Sequence, residues 1–331
     1  MSEQGDRWTD GPEVEQGGET GSPAWSQRQL ESLLQAGVIE RRRARRWGIL
    51  FKSLTLLYLV AIAVLLSSGE WDDEPATGPH TALIDIDGVI AAGMEVDADR
   101  IATGLRNALE DGDSRAVILR INSPGGSPVQ SGYIYDEIVR LRALHPRKKV
   151  YAVIADIGAS GGYYIASAAD SIYADRASFV GSIGVRMDSF GLVGAIDKLG
   201  IERRLHTAGE HKGLLDPFLP EDATEVAHIQ GLLDRVHGQF IDAVKRGRGD
   251  RLGDDPKLFS GLVWTGEQAL ELGLIDGLGS SGYVAREVVG AERIVDYTPK
   301  KEIWDRLAER IGASMARTLA AGGLGWIGTP R

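Results

Sequence analysis

The residues best suited to chemistry stand at Gly158-Ala159-Ser160-Gly161-Gly162, where the apolar stretch KKVYAVIAD (148–156) gives way to GYYIASAAD. The pattern is Gly-x-Ser-x-Gly. A sharp strand-to-helix turn with glycine on both sides leaves a serine hydroxyl unobstructed. The helix N-terminus behind it carries partial positive charge that favours a developing anion. The chemistry would be nucleophilic attack on a carbonyl. Alone, the pentapeptide reads equally well as a tight turn with close helix–strand packing. A second glycine turn, Asn122-Ser123-Pro124-Gly125-Gly126, also ends a strand and precedes a helix. Neighbouring strands of one sheet would bring both turns to the edge where open α/β sheets bind ligands. Glycine amides from the two turns would then face one oxyanion.

Composition removes the competing chemistries. The 331 residues contain no cysteine, which excludes disulfides, thiol catalysis and Cys-based zinc sites. Six histidines (80, 145, 206, 211, 228 and 237) include no H-E-x-x-H pair, and nothing predicts a metal or another cofactor. A net charge of −10 argues against nucleic acid as a partner. Hydrophobic residues at 43% and charged residues at 25% suit a chain that buries a core and exclude wholesale disorder.

The elements that must position the two turns alternate between strand and helix. TALIDIDGVI (81–90) and AVILRIN (116–122) read as strands, with a helix over 98–110 between them. Ser127-Pro128 opens the next helix as N-cap and first helical residue, with Ile134, Ile138 and Leu141 on one face. KKVYAVIAD, SIYAD (171–175) and SFVGSIGV (178–185) supply further strands, so a layered βαβ-type domain is expected. A long helix is predicted over 221–246, its stripe including Val226, Leu232, Phe240 and Val244, and a short one over 267–272 stops at Gly273. An amphipathic stretch covers 301–320.

Ahead of this domain, residues 1–24 are polar and acidic, and five arginines between 41 and 46 precede WGILFKSLTLLYLVAIAVLL (47–66). Twenty such residues span about 30 Å as a helix, enough to cross a hydrocarbon layer. The arginines before the span, and Glu70, Asp72, Asp73 and Glu74 after it, set the N-terminus in the cytoplasm and the rest outside. The expected organisation is a cytoplasmic segment (1–46), a transmembrane signal anchor (47–66), a linker (67–79), a catalytic domain (80–295) and a C-terminal amphipathic tail (296–331).

In combination, INSPGG (121–126), GASGGYYIASAAD (158–170), GSIGV (181–185), TAGEHKGLLDPF (207–218) and WTGEQALELGLIDGLG (264–279) resemble the signal peptide peptidases of peptidase family S49, in their short, single-repeat bacterial form. The resemblance spans roughly 80–295. It implies an α/β, ClpP/crotonase-like fold of repeated ββα units, here preceded by one transmembrane helix. It also implies a serine–lysine dyad, with Ser160 as nucleophile and Lys212 as general base. Gly126 and Gly161 match the family's oxyanion donors, and Ser182 would orient Lys212. Gly213 follows the lysine where the family often has a polar residue. A lysine can serve as base only when neutral, which calls for apolar cover with no carboxylate close by, so Asp216 must point away. The implied substrates are remnant signal peptides and other short or unfolded hydrophobic peptides. The implied assembly is a homo-oligomeric ring in which one subunit's lysine meets a neighbour's serine, held at the bacterial inner membrane with the catalytic domain periplasmic. Three other readings remain: an α/β-hydrolase esterase drawing on His206, His211, His228 or His237; a catalytically silent crotonase-like membrane scaffold; and a crotonase-fold acyl-CoA hydratase or isomerase.

Overall fold

The structure is a computed structural model that describes residues 43, 45–62 and 78–299. Two units divide the chain, Met1–Glu74 and Pro75–Arg331. In the first, residues 45–62 form a helix (α1) whose apolar side chains, Trp47, Phe51, Leu54 and Leu57 among them, are exposed on every side. Among the described residues no helix is long and apolar enough to cross a membrane. The end of the expected span (63–66), the acidic segment 1–24 and the amphipathic stretch 301–320 lie outside the described residues.

The second unit is built around one eight-stranded sheet of order β6-β5-β3-β2-β1-β8, in which β5 is Phe179–Gly181, β6 Val263–Thr265 and β8 Ile294–Asp296. Its centre is β1 (His80–Asp87), β2 (Ser114–Ser123) and β3 (Lys149–Ala159), paired in parallel. Their β-branched, apolar sequences suit strands covered on both faces. Helix α2 (Ala98–Glu110) starts at Asp97, whose carboxylate accepts the Asp99 N–H, and connects β1 to β2. Helix α3 (Pro128–Leu144) has Ser127 as N-cap and Pro128 in its first turn, as its sequence demands. Ile134, Ile138 and Leu141 are fully or nearly fully buried against the sheet with Ile84, Ile86, Leu119 and Ile121. Each such side chain contributes roughly 1.5–3 kcal/mol by its burial. The mixed α/β architecture with its central sheet fits a ClpP-like fold.

One irregularity shapes the site. The first half of β3 pairs with β4 (Ser171–Ala174), whereas its last residues pair with β5 (Phe179–Gly181). The register slips between Ile121 and Ser123, where β2 faces Gly158 of β3. Beyond β5 the sheet ends on the antiparallel strand β6 (Val263–Thr265), while β4 also carries β7 (Gly277–Leu278). The strand predicted over 81–90 ends at Asp87, and Ile90 makes isolated bridges to Val96 and Gly126.

Between the sheet and α6 (Ala223–Arg248) runs an arm, 185–222, whose only helix is the short α5 (Val193–Lys198). No residue from 184 to 239 is buried. The stripe expected along α6 is buried only at its C-terminal end, at Phe240, Ala243 and Val244, while Val226 and Leu232 are exposed.

Candidate active site

Ser160 follows the last residue of β3 and caps α4 (Gly161–Ala166). Its backbone sits at φ 51° and ψ −121°, which a residue with a Cβ adopts at a cost of about 1–3 kcal/mol. Hydrogen bonds on both sides hold it there. The Ser160 N–H donates to the Gly181 carbonyl at 2.8 Å, and the Tyr164 N–H donates to the Ser160 carbonyl at 2.9 Å. Further along α4, the buried Tyr163 hydroxyl donates to the Leu274 carbonyl at 2.6 Å, and burial raises its pKa. A serine pinned in this way projects its hydroxyl at the carboxyl edge of the sheet.

The second glycine turn lies directly against it. A Cβ on Gly125 (φ 101°) would stand 2.7 Å from both the Ser160 Cβ and the Gly161 nitrogen. A Cβ on Gly126 would collide with the Ile90 carbonyl. Only glycine permits this approach, and the approach brings the two turns into one site. Gly161 and Gly126 are correspondingly close, since a Cβ on Gly161 would be 3.3 Å from the Gly126 nitrogen. Among the described residues neither the Gly126 nor the Gly161 N–H donates to a protein acceptor. Two unpaired backbone donors beside a strained serine are the elements of an oxyanion hole.

Some supports for the site were not legible in the sequence. Ser123 ties the second turn down, its hydroxyl donating to the Gly88 carbonyl at 2.6 Å and accepting the Gly125 N–H at 3.1 Å. Ile90 exchanges bonds with the same turn: its N–H donates to the Gly125 carbonyl (3.0 Å), and its carbonyl accepts the Ser127 N–H (2.7 Å). The serine within INSPGG was the available signal, but nothing in the sequence of 88–96 marks that loop as a wall of the site.

Ser182 immediately follows Gly181, the residue bonded to the Ser160 N–H. It too has positive φ, 50°, and its N–H donates to the Leu262 carbonyl at 2.7 Å. Lys212 lies on the exposed arm. Its own segment surrounds it, with Ile196, Ile201, Leu205 and Phe218 in a groove of about 790 Å³. Among the described residues no hydrogen bond or ion pair joins the Lys212 amine to another group, Ser160 included. Asp216 shares that groove and is engaged there by Arg203 at 2.6 Å and the Phe218 N–H at 2.9 Å. The Arg203 hydrogen bonds, then the Phe218 N–H, hold its pKa below the ordinary carboxylate value. Of the histidines an esterase would need, His211 pairs with Glu225 and His237 bonds the Ile183 carbonyl.

A ClpP-like sheet that carries a strained serine and two unpaired glycine amides at one edge belongs with α/β proteins, and this arrangement could serve serine-based acyl transfer. The chain belongs to peptidase family S49, whose pattern matches residues 142–293. That stretch contains Ser160, Ser182 and Lys212 but not Gly126. A Synechocystis protein named "Putative protease slr0021" is 34% identical over 213 residues, covering 63% of this chain and 73% of that protein. Protease 4 of Haemophilus influenzae is 31% identical over 234 residues, 68% of this chain and 36% of the relative. A protein of Brucella melitensis named Na(+)/H(+) antiporter NhaA is 50% identical over 186 residues, 56% of this chain. The chain spans only a quarter of that relative's length, as it does for the Brucella abortus counterpart.

Proposed function

We propose that this chain is a serine endopeptidase with a Ser160–Lys212 dyad. The observation that carries the reading is the strained Ser160 beside the unpaired Gly126 and Gly161 amides. The Ser160 oxygen attacks a peptide carbonyl carbon and its proton passes to the neutral Lys212 amine. The carbonyl oxygen becomes an oxyanion held by the two glycine N–H groups. When the tetrahedral intermediate collapses, the C–N bond breaks and Lys212 gives its proton to the leaving amine. Water, deprotonated by the same lysine, then attacks the acyl ester, releasing the acid and restoring the serine hydroxyl. Ser182 orients the lysine in this scheme.

No hydrogen bond joins the serine and the lysine of one chain, and in this reading the dyad forms between copies in a ring. The exposed apolar side chains of the arm support such an assembly: Phe190 and Leu199 are 79% and 73% exposed. The substrates are short or unfolded apolar peptides, including signal peptide remnants. The apolar run 47–66 anchors the enzyme in the bacterial inner membrane with the catalytic unit periplasmic; the arginines before the run support this.

The test is hydrolysis of a quenched fluorescent apolar peptide by the full chain. Wild type should cleave it, whereas Ser160→Ala and Lys212→Ala should not. Mixing the two dead variants before assembly should restore part of the activity, because some interfaces then pair an intact serine with an intact lysine. Full activity in Lys212→Ala would overturn the dyad.

A further inference from the structure

The arm carries a second groove, of about 570 Å³, between the start of α5, the loop around Lys212 and the first turn of α6. Its apolar lining includes Val193, Leu205, Leu219 and Val226. Five carboxylates join them, from Glu210, Asp216, Glu221, Asp222 and Glu225, and among the described residues no lysine, arginine or histidine lines the groove. Two of the five have a basic side chain beside them, Asp216 with Arg203 and Glu225 with His211 at 3.1 Å. Asp222 caps α6, accepts the backbone N–H groups of Thr224 and Glu225, and lies within the field of His211. Among the described residues Glu210 and Glu221 have no ion-pair partner. An apolar floor thus sits beneath two carboxylates, Glu210 and Glu221, that no ion pair among the described residues neutralises.

We infer that this groove is a docking site for the cationic end of an apolar peptide, a segment in which lysines or arginines adjoin a hydrophobic run. The inference rests on the peptidase reading above and narrows its substrate class. Charge complementarity selects the occupant. An acidic segment or an anionic surface would be repelled, and a neutral peptide would gain only the floor. A second copy presenting the same face would bring two acidic rims together. The volume, within the range of about 300–1,000 Å³ usual for ligand sites, admits a few side chains. Gly213, Leu215, Asp216 and Pro217 line both this groove and the one that holds Lys212. A peptide seated by its basic end therefore lies beside the general base, with its apolar run free to enter a neighbouring serine site. Secretory signal peptides have this layout, a positive end followed by an apolar stretch.

The test uses the full chain carrying Ser160→Ala, which holds peptides without cutting them. Fluorescence anisotropy would compare a labelled peptide of four lysines followed by ten apolar residues with its four-glutamine counterpart. The lysine peptide should bind about tenfold more tightly, and that preference should shrink when salt rises from about 0.05 to 0.5 M. Glu210→Gln with Glu221→Gln should weaken the lysine peptide about fivefold and the glutamine peptide less than twofold. Glu210→Asp with Glu221→Asp should restore the preference, which a merely structural role would not produce. Equal affinity for the two peptides, or a preference unmoved by the glutamine variants, would overturn the inference. Hydrolysis of the glutamine peptide by wild type reads the peptidase proposal separately, so either can fail while the other stands.

Discussion

The turn that holds Ser160 and the arm that holds Lys212 are built on opposite principles. Around Ser160 the neighbouring side chains are buried, the strained backbone is tied on both sides, and two turns approach so closely that only glycine fits. Along the arm no residue is buried, and large apolar side chains face outward. The first region supplies its own rigidity, as a preorganised oxyanion site requires. The second has the composition of an interior without its cover. If Ser160 and Lys212 form the proposed dyad, its unburied half points to a surface completed by another molecule.

The largest effect expected is from Ser160→Ala, a fall of about 10⁴-fold or more in peptide hydrolysis. Ser160→Gly should be equally inactive, yet more stable by about 1 kcal/mol, because glycine adopts positive φ without strain. Thermal or urea unfolding of the pair reads that sign, and a destabilised glycine variant would mean the turn is not under strain. Lys212→Ala should cost about 10²–10⁴-fold in rate while leaving stability within about 0.5 kcal/mol. Lys212→Arg should not rescue it, since a guanidinium does not give up its proton. Gly126→Ala should lower kcat by about 10²–10³-fold, because the added Cβ displaces the turn from Ile90 and moves one oxyanion donor. An unchanged kcat in that variant would remove Gly126 from the site.

Acid probes the rigid region as well as the arm, where Asp216 also has a lowered pKa. Arg248 is 2% exposed and donates to both oxygens of Asp276, at 2.6 and 2.9 Å, joining the end of α6 to β7. Burial works to raise the Asp276 pKa, but Arg248 and the Ile172 N–H outweigh it and leave the pKa lowered. Glu137, bonded by Arg140 and Arg106 against some desolvation, is lowered to about 2. A carboxylate whose folded value is depressed stabilises the protein above its unfolded value, and that contribution is lost as pH falls through the folded value. Stability should therefore be steady above about pH 4.5 and fall between there and about pH 2. Asp276→Asn should cost about 3 kcal/mol at neutral pH by leaving the Arg248 charge without its counterion, and should flatten the acid limb. Denaturant midpoints measured across that range would show an unflattened limb if other groups govern it.

The sequence revealed the two regions unequally, for a physical reason. A glycine pair ending a β-branched run specifies a backbone path locally, so both turns, the Ser127 cap and the stripe of Ile134, Ile138 and Leu141 could be read directly. The Ile90 loop could not, because its place depends on a bridge to Gly126 from 36 residues away in the chain. The stripe on α6 misled for another reason. Periodicity records which face is apolar, not what covers it, and Val226 and Leu232 stay exposed in the single chain. Lys212 had no local signature beyond its resemblance to a family loop, since an isolated lysine is ordinarily a solvated charge.

The smallest effect on stability is expected where the contrast is sharpest, at Phe190. Its ring is 79% exposed, so Phe190→Ser removes little buried area within one chain and should change stability by less than about 0.5 kcal/mol. If the arm is completed by a second copy, the same change exposes a polar hydroxyl where an apolar contact should form. Assembly should then weaken, and specific activity should become dependent on protein concentration. Sedimentation velocity over a dilution series, run beside a thermal melt, separates the two readings. A melt lowered by several degrees in dilute monomer would show that the ring packs on its own domain, and the division between a self-sufficient turn and an incomplete arm would fall. An unchanged melt with a shifted assembly curve would place the missing cover of the arm on its neighbour.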